Sequence, residues 1–221
     1  MSGLETSGAA VRGRERRRRD VVPKQEQGER RKYFDVKFGK TAVRVLPGEH
    51  YVSNDQDEMI VTVLGSCIAA CIRDPLAGVG GMNHFMLPES QLGSLGAATD
   101  AMRYGNHAME VLVNDLIKLG AARKRLEIKL FGGAHVHKGM TPIGDRNCAF
   151  IARYLKAEEL HAVASDLGGN NPRRIHYFPQ TGQVKRLLLR RVEDQALLDS
   201  EVAYRSSLSK TEVGGSIELF D

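Results

Sequence analysis

The segment that most limits what this chain can fold into is residues 61–88, VTVLGSCIAACIRDPLAGVGGMNHFMLP. Two apolar, strand-prone runs flank Asp74-Pro75 and the glycines at 78, 80 and 81, so the segment reads as a β-hairpin. Its loop length decides which side chains meet. A two-residue loop at Pro75-Leu76 sets Cys67 directly opposite His84. A four-residue loop, Pro75 to Gly78, moves His84 to a diagonal position on the same sheet face. A three-residue loop or a bulge sends the two to opposite faces. Directly opposed residues hold their Cβ atoms roughly 4.5–5.5 Å apart.

A thiol beside an imidazole can be held as the thiolate, the reactive form. The imidazole can later protonate a departing amine. Gly65 permits a bend before Cys67, where backbone N–H groups of the Gly65-Ser66-Cys67 stretch can hold an oxyanion. The plainer reading is packing, since a cysteine at a strand end serves well as a small buried apolar residue. Spacing alone leaves both open. The catalytic reading also needs a route from solvent to the sulfur.

The net charge of +5 is localised. Residues 1–32 hold ten of the 32 Lys and Arg and five of the 27 acids, leaving 22 of each sign from residue 33 onward. That first stretch is rich in Gly, Ser, Arg, Glu and Gln, and is expected to be a disordered basic N-terminal arm. Arg16 to Arg19 invite a nucleic-acid or anionic-surface reading, although no aromatics interleave with them. The other reading is a solubilising tail without a specific partner. Three cysteines, no apolar leader and no run near the ~20 apolar residues of a membrane span point to a soluble cytoplasmic chain without a disulfide framework.

From residue 33 the pattern is globular. Tyr33 to Leu46 alternates twice around Gly39, which suits two short strands, and Met59 to Leu64 reads as a buried strand. Thr99 or Asp100 is expected to cap a helix ending near Leu119, with Met109, Leu112, Leu116 and Leu119 on one stripe and Gly120 as its stop. A half-exposed strand follows at Leu126 to Leu130, then a helix from about Asp145 to Glu159 and a strand over Leu160 to Asp166. Arg174 to Phe178 and Val184 to Leu189 flank a hairpin turn at Gln180-Thr181-Gly182. One domain over residues 33–192 is expected, followed by a C-terminal helix and tail over 193–221. The class is α+β.

Cys71 and Cys148 read as packing residues. His135 and His137 share a face on a strand, but no further ligand stands at a recognisable spacing, so no metal site is expected. Asn83 either positions His84 or bonds backbone in a tight turn. Gly168 to Pro172 reads as a turn without the context of a phosphate loop.

Several of these motifs resemble one known family. Leu64-Gly65-Ser66-Cys67, Asp74-Pro75 and Gly80-Gly81-Met82-Asn83-His84-Phe85-Met86-Leu87-Pro88 are similar to the bacterial chemoreceptor glutamine deamidases, CheD. So are Leu130 to Ala134, Ile143-Gly144-Asp145-Arg146-Asn147, Asp166 to Gly169, Arg173 to Ile175 and Thr181-Gly182. The resemblance spans roughly residues 40–190. It implies a mixed β sandwich flanked by helices, similar to the catalytic domain of bacterial toxins that deamidate Rho-type GTPases. It implies hydrolysis of a glutamine side chain on methyl-accepting chemotaxis receptors to glutamate with release of ammonia, or methylester hydrolysis at the same receptor sites. The implied catalytic residues are Cys67, His84 and Thr62, the last orienting the imidazole. Gly65, Ser66 and Asn83 support them. No cofactor or metal is implied. Some members bind a CheC-type phosphatase, so a non-catalytic adaptor is the competing function. A nucleic-acid-binding protein working through the basic arm is the more distant one.

Overall fold

The computed structural model describes residues 32–88, 95–136, 143–189, 203, 204 and 206–208. The arm before residue 32, His137 and most of the C-terminal tail lie outside the described residues. Strand β1 (Lys32–Asp35) begins at the last residue assigned to the arm by sequence, where Lys32 pairs with Glu58.

Two mixed five-stranded sheets stack face to face. The first is ordered β1, β2 (Lys40–Arg44), β4 (Glu58–Leu64), β9 (Arg173–Phe178), β10 (Gln183–Leu188). The second is ordered β3 (His50–Ser53), β6 (Val79–Asn83), β5 (Ile68–Asp74), β7 (Glu127–Gly132), β8 (Ala162–Leu167). Helices α1 (Leu95–Lys118) and α2 (Ile143–Ala157) cover the outer face of the second sheet. This is the α+β sandwich with flanking helices that the sequence led us to expect.

The alternation of side chains explains the layers. Cys67, Ala69 and Cys71 point between the sheets with Met82, Met86, Ile60, Leu64 and Ile175. Their neighbours Ile68, Ala70 and Ile72 point to the helices, where Met109, Leu112 and Leu116 of α1 and Phe150 and Ile151 of α2 complete a second core. Both faces of β5 are therefore buried, which is why its sequence is a continuous apolar run.

Three details differ from the sequence reading. Helix α1 starts at Leu95, ahead of the expected cap at Thr99 or Asp100, because Leu95, Ala97 and Ala98 are strong helix formers that outweigh Gly96. Leu119 is 44% exposed although the stripe of Met109, Leu112 and Leu116 is buried. The helix has already ended there: Gly120 takes φ +96° and the N–H of Ala121 donates to the Leu116 carbonyl, which turns Leu119 off the stripe. Strand β3 carried no sequence signal, because its register with β6 is set by long-range pairing such as His50 with Asn83.

Candidate active site

The chain crosses from the first sheet to the second at Gly65-Ser66-Cys67, between the end of β4 and the start of β5. Each carbonyl of this bend is held. The Gly65 carbonyl accepts from the N–H of Ala134 at 2.8 Å, and that of Cys67 from the N–H of Gly133 at 2.8 Å. The Ser66 carbonyl accepts from Nδ2 of Asn147 at 2.8 Å. Gly132 makes the close approach possible: with φ +114°, a Cβ there would stand 2.0 Å from the Cys67 carbonyl oxygen.

The β5–β6 hairpin has the four-residue loop, residues 75–78, with Asp74 opposite Val79 and Cys71 opposite Met82. The same register returns at the bridge between Ile68 and Phe85. Continued one step, it puts His84 across from Ala69, diagonal to Cys67 and on the same inner face. Between the two paired stretches the N–H of Ala70 donates to Oδ1 of Asn83 at 2.9 Å, while Asn83 Nδ2 donates to the Ala108 carbonyl of α1 at 3.0 Å. Asn83 therefore bonds backbone on the helix side of the sheet. His84 is held through its own backbone, its N–H donating to the Glu49 carbonyl and its carbonyl accepting from Gly48.

Thr62 comes from the other sheet. Its Oγ1 lies 2.8 Å from Nδ1 of His84 and 2.7 Å from the carbonyl oxygen of Val45. The hydroxyl has one proton, and a carbonyl can only accept. The Thr62 proton therefore goes to Val45, and Nδ1 of His84 carries the hydrogen that Oγ1 accepts. In the neutral ring the basic lone pair is then on Nε2. Thr62 is 2% exposed, so both bonds form away from water.

The other two cysteines are unlike a nucleophile. Burial pushes the Cys71 thiol far up, with Lys129 opposing, and raises the Cys148 thiol as well. Both are held as the less reactive SH form. Among the described residues no three His, Cys, Asp or Glu side chains gather as a metal site. His135 instead pairs with Asp145 at 3.1 Å.

The route from solvent that the sequence reading required is closed in this conformation. Cys67 is 0% and His84 1% exposed. Tyr204 packs against the intersheet cluster that includes Cys67, and a Cβ on Gly48 would stand 2.6 Å from its hydroxyl. The Tyr204 hydroxyl is hydrogen-bonded to that of Tyr104 on α1. Burial raises the pKa of both phenols. Neither tyrosine was singled out from sequence, because the contact joins segments 100 residues apart. In the sequence Asn147 stands at the end of the Ile143-Gly144-Asp145-Arg146-Asn147 motif. Its signal was its place in the helical series Ile143, Asn147, Phe150, Ile151, Tyr154, one amide in an otherwise buried stripe.

A family model described as CheD chemotactic sensory transduction matches residues 86–186. Curated relatives extend the match over most of the chain. A probable chemoreceptor glutamine deamidase CheD of Rhodopseudomonas palustris is 55% identical over 190 residues, covering 86% of this chain and 89% of that protein. Its namesake in Saccharophagus degradans is 51% identical, over 86% of this chain and 89% of that protein. The chain belongs to the CheD family. A further CheD-family relative, from Methylobacillus flagellatus, is 45% identical over 90% of this chain and 98% of its own length. Against solved structures, a Neisseria meningitidis protein of the DUF152 family model aligns with a TM-score of 0.33 and 11% identity, over 55% of this chain and 52% of that one. Likeness at that level says nothing about function. Among the described residues no helix is long and apolar enough to cross a membrane.

Proposed function

We propose that this protein hydrolyses glutamine side chains on chemotaxis receptors to glutamate, through a thioester on Cys67. The observation that carries the reading is the committed tautomer of His84. With Nδ1–H tied to Thr62 and Thr62 tied to Val45, the ring keeps its lone pair on Nε2, on the same sheet face as Cys67. The names of the CheD-family relatives support glutamine on a chemoreceptor as the substrate.

The steps follow from these groups. Nε2 of His84 takes the thiol proton, and the Cys67 sulfur attacks the carboxamide carbon. The carbonyl becomes an oxyanion held by backbone N–H groups of the Gly65-Ser66-Cys67 bend. The imidazolium returns its proton to the departing nitrogen, which leaves as ammonia. Nε2 then draws a proton from water, the hydroxide attacks the thioester, and the C–S bond breaks to give glutamate and the thiolate. Because Cys67 is buried, what covers it must shift before a side chain can reach it.

The test is incubation of the full chain with a chemoreceptor cytoplasmic fragment, followed by peptide mass spectrometry. Each converted glutamine gains about one dalton, the difference between NH2 and OH, as this thioester route requires. Conversion by the wild type and none by Cys67→Ala is expected. Equal conversion by Cys67→Ala would remove the sulfur from the mechanism.

A further inference from the structure

We infer that Asn147 is a positioning residue that aims the N–H of Cys67 into the site as an oxyanion donor. This rests on the deamidase reading above and deepens it.

Asn147 is 0% exposed. Its amide spans the two segments that carry the reacting groups. Oδ1 accepts from the N–H of Leu87, three residues beyond His84, at 3.0 Å. Nδ2 donates to the carbonyl of Ser66 at 2.8 Å. The Ser66 carbonyl and the Cys67 N–H belong to one peptide unit, which is trans. In a trans peptide the two dipoles point in opposite directions. Holding the carbonyl toward Asn147 on α2 therefore drives the Cys67 N–H away from that helix. Helix α2 lies on the outer face of the second sheet, whereas Thr62 and the inner-facing side chain of Cys67 lie between the sheets.

The helix itself is fixed at the right depth. A Cβ on Gly144 would stand 2.5 Å from the Gly133 carbonyl oxygen, so the first turn of α2 rests on the backbone of 133–134. That same backbone holds the carbonyls of Gly65 and Cys67. The flanking carbonyls are thus pinned by the N–H groups of Gly133 and Ala134, just after β7, and the central one by Asn147. Asn147 supplies to the central carbonyl what the backbone of 133–134 supplies to the two beside it. An amide suits the position, since one planar group must both accept and donate.

Asn147→Asp is the sharpest variant. It keeps Oδ1 for the Leu87 N–H, and because burial raises its carboxyl pKa the rates are compared at alkaline pH, where its ionised second oxygen repels the Ser66 carbonyl. Loss of one oxyanion donor costs kcat about 10²–10³-fold in a well-studied protease. We expect a fall of that order in kcat for receptor deamidation with KM within about threefold, because the donor acts after the substrate is bound. Alkylation of Cys67 by iodoacetamide forms no oxyanion, so its rate should stay within about twofold. A purely structural role would move both rates together. Asn147→Ala, which loses both bonds, should fall at least as far in kcat. Should it not fold, Asn147→Asp and Asn147→Ser, judged by a thermal melt, decide the matter.

Deamidation by Asn147→Asp at the wild-type rate overturns the inference, as does a parallel loss of alkylation. Absence of conversion by the wild type itself overturns the deamidase reading and this role with it.

Discussion

Thr62→Val is the substitution whose consequences can be worked furthest. Valine matches threonine in shape but offers no oxygen. The change leaves the Val45 carbonyl and the Nδ1–H of His84 without their 2.7 Å and 2.8 Å partner in a buried place. An orphaned buried group costs about 1–3 kcal/mol, so the fold should lose roughly 2–6 kcal/mol. The catalytic effect is separate. A hydrogen bond contributes about 1 kcal/mol between neutral groups and about 1.5–3 when one partner is charged. The imidazolium therefore loses about 0.5–2 kcal/mol more than the neutral ring, which lowers the population of the thiolate–imidazolium pair about 2–30-fold. Release of the ring to its other tautomer adds a further loss, so kcat/KM should fall about 10–100-fold. Thr62→Ser keeps the oxygen and should recover most of it. Rates on a receptor fragment by mass spectrometry and urea denaturation separate the two effects. A Thr62→Val protein that is destabilised as stated but deamidates within twofold of wild type would refute the role given to the hydroxyl.

Other expectations follow from the same geometry. Tyr204→Ala should speed alkylation of Cys67 about 10–100-fold, the equivalent of the roughly 1.5–3 kcal/mol that a buried large side chain contributes, as read by mass spectrometry of the alkylated peptide. An unchanged rate would mean that Tyr204 does not guard the sulfur. Cys71→Ala and Cys148→Ala should keep deamidation within about twofold, and neither thiol should be alkylated at neutral pH, because burial holds both protonated. Asp74 accepts from Arg125, then from the N–H groups of Ala122, Ala77 and Leu76, and the arginine first holds its carboxyl well below the usual carboxylate range. Its contribution is therefore complete above the unfolded carboxyl value of about 4 and is lost as pH falls below it. Asp74→Ala should lower stability at pH 7, because it removes the buried acceptor of half-exposed Arg125 and of three backbone N–H groups, and should flatten the acid limb of stability in urea melts between pH 3 and 7.

Local pattern carried the strands and their faces. The apolar run at 59–64 and the turns at Gly39 and Gly182 correspond to β4, the β1–β2 hairpin and the β9–β10 hairpin. The side on which Cys67 and His84 fall was legible too, because two of the three loop lengths weighed keep them on one face and the structure has the four-residue one. What was not legible depends on contacts between distant segments. The register of β3, the approach of Tyr204 to Gly48 and the closure of the site over Cys67 all join residues far apart in the chain. Asn83 could be assigned only by seeing that it faces α1. Thr62 meets His84 across the two sheets, a contact that neither strand announces by itself.

The most direct measurement is to quench turnover with acid and map any receptor peptide joined to the enzyme. A glutamine-derived acyl group on Cys67, released by hydroxylamine as the hydroxamate, is expected. An acyl group on Cys71 or Cys148, or full conversion by a Cys67→Ala protein, would contradict it.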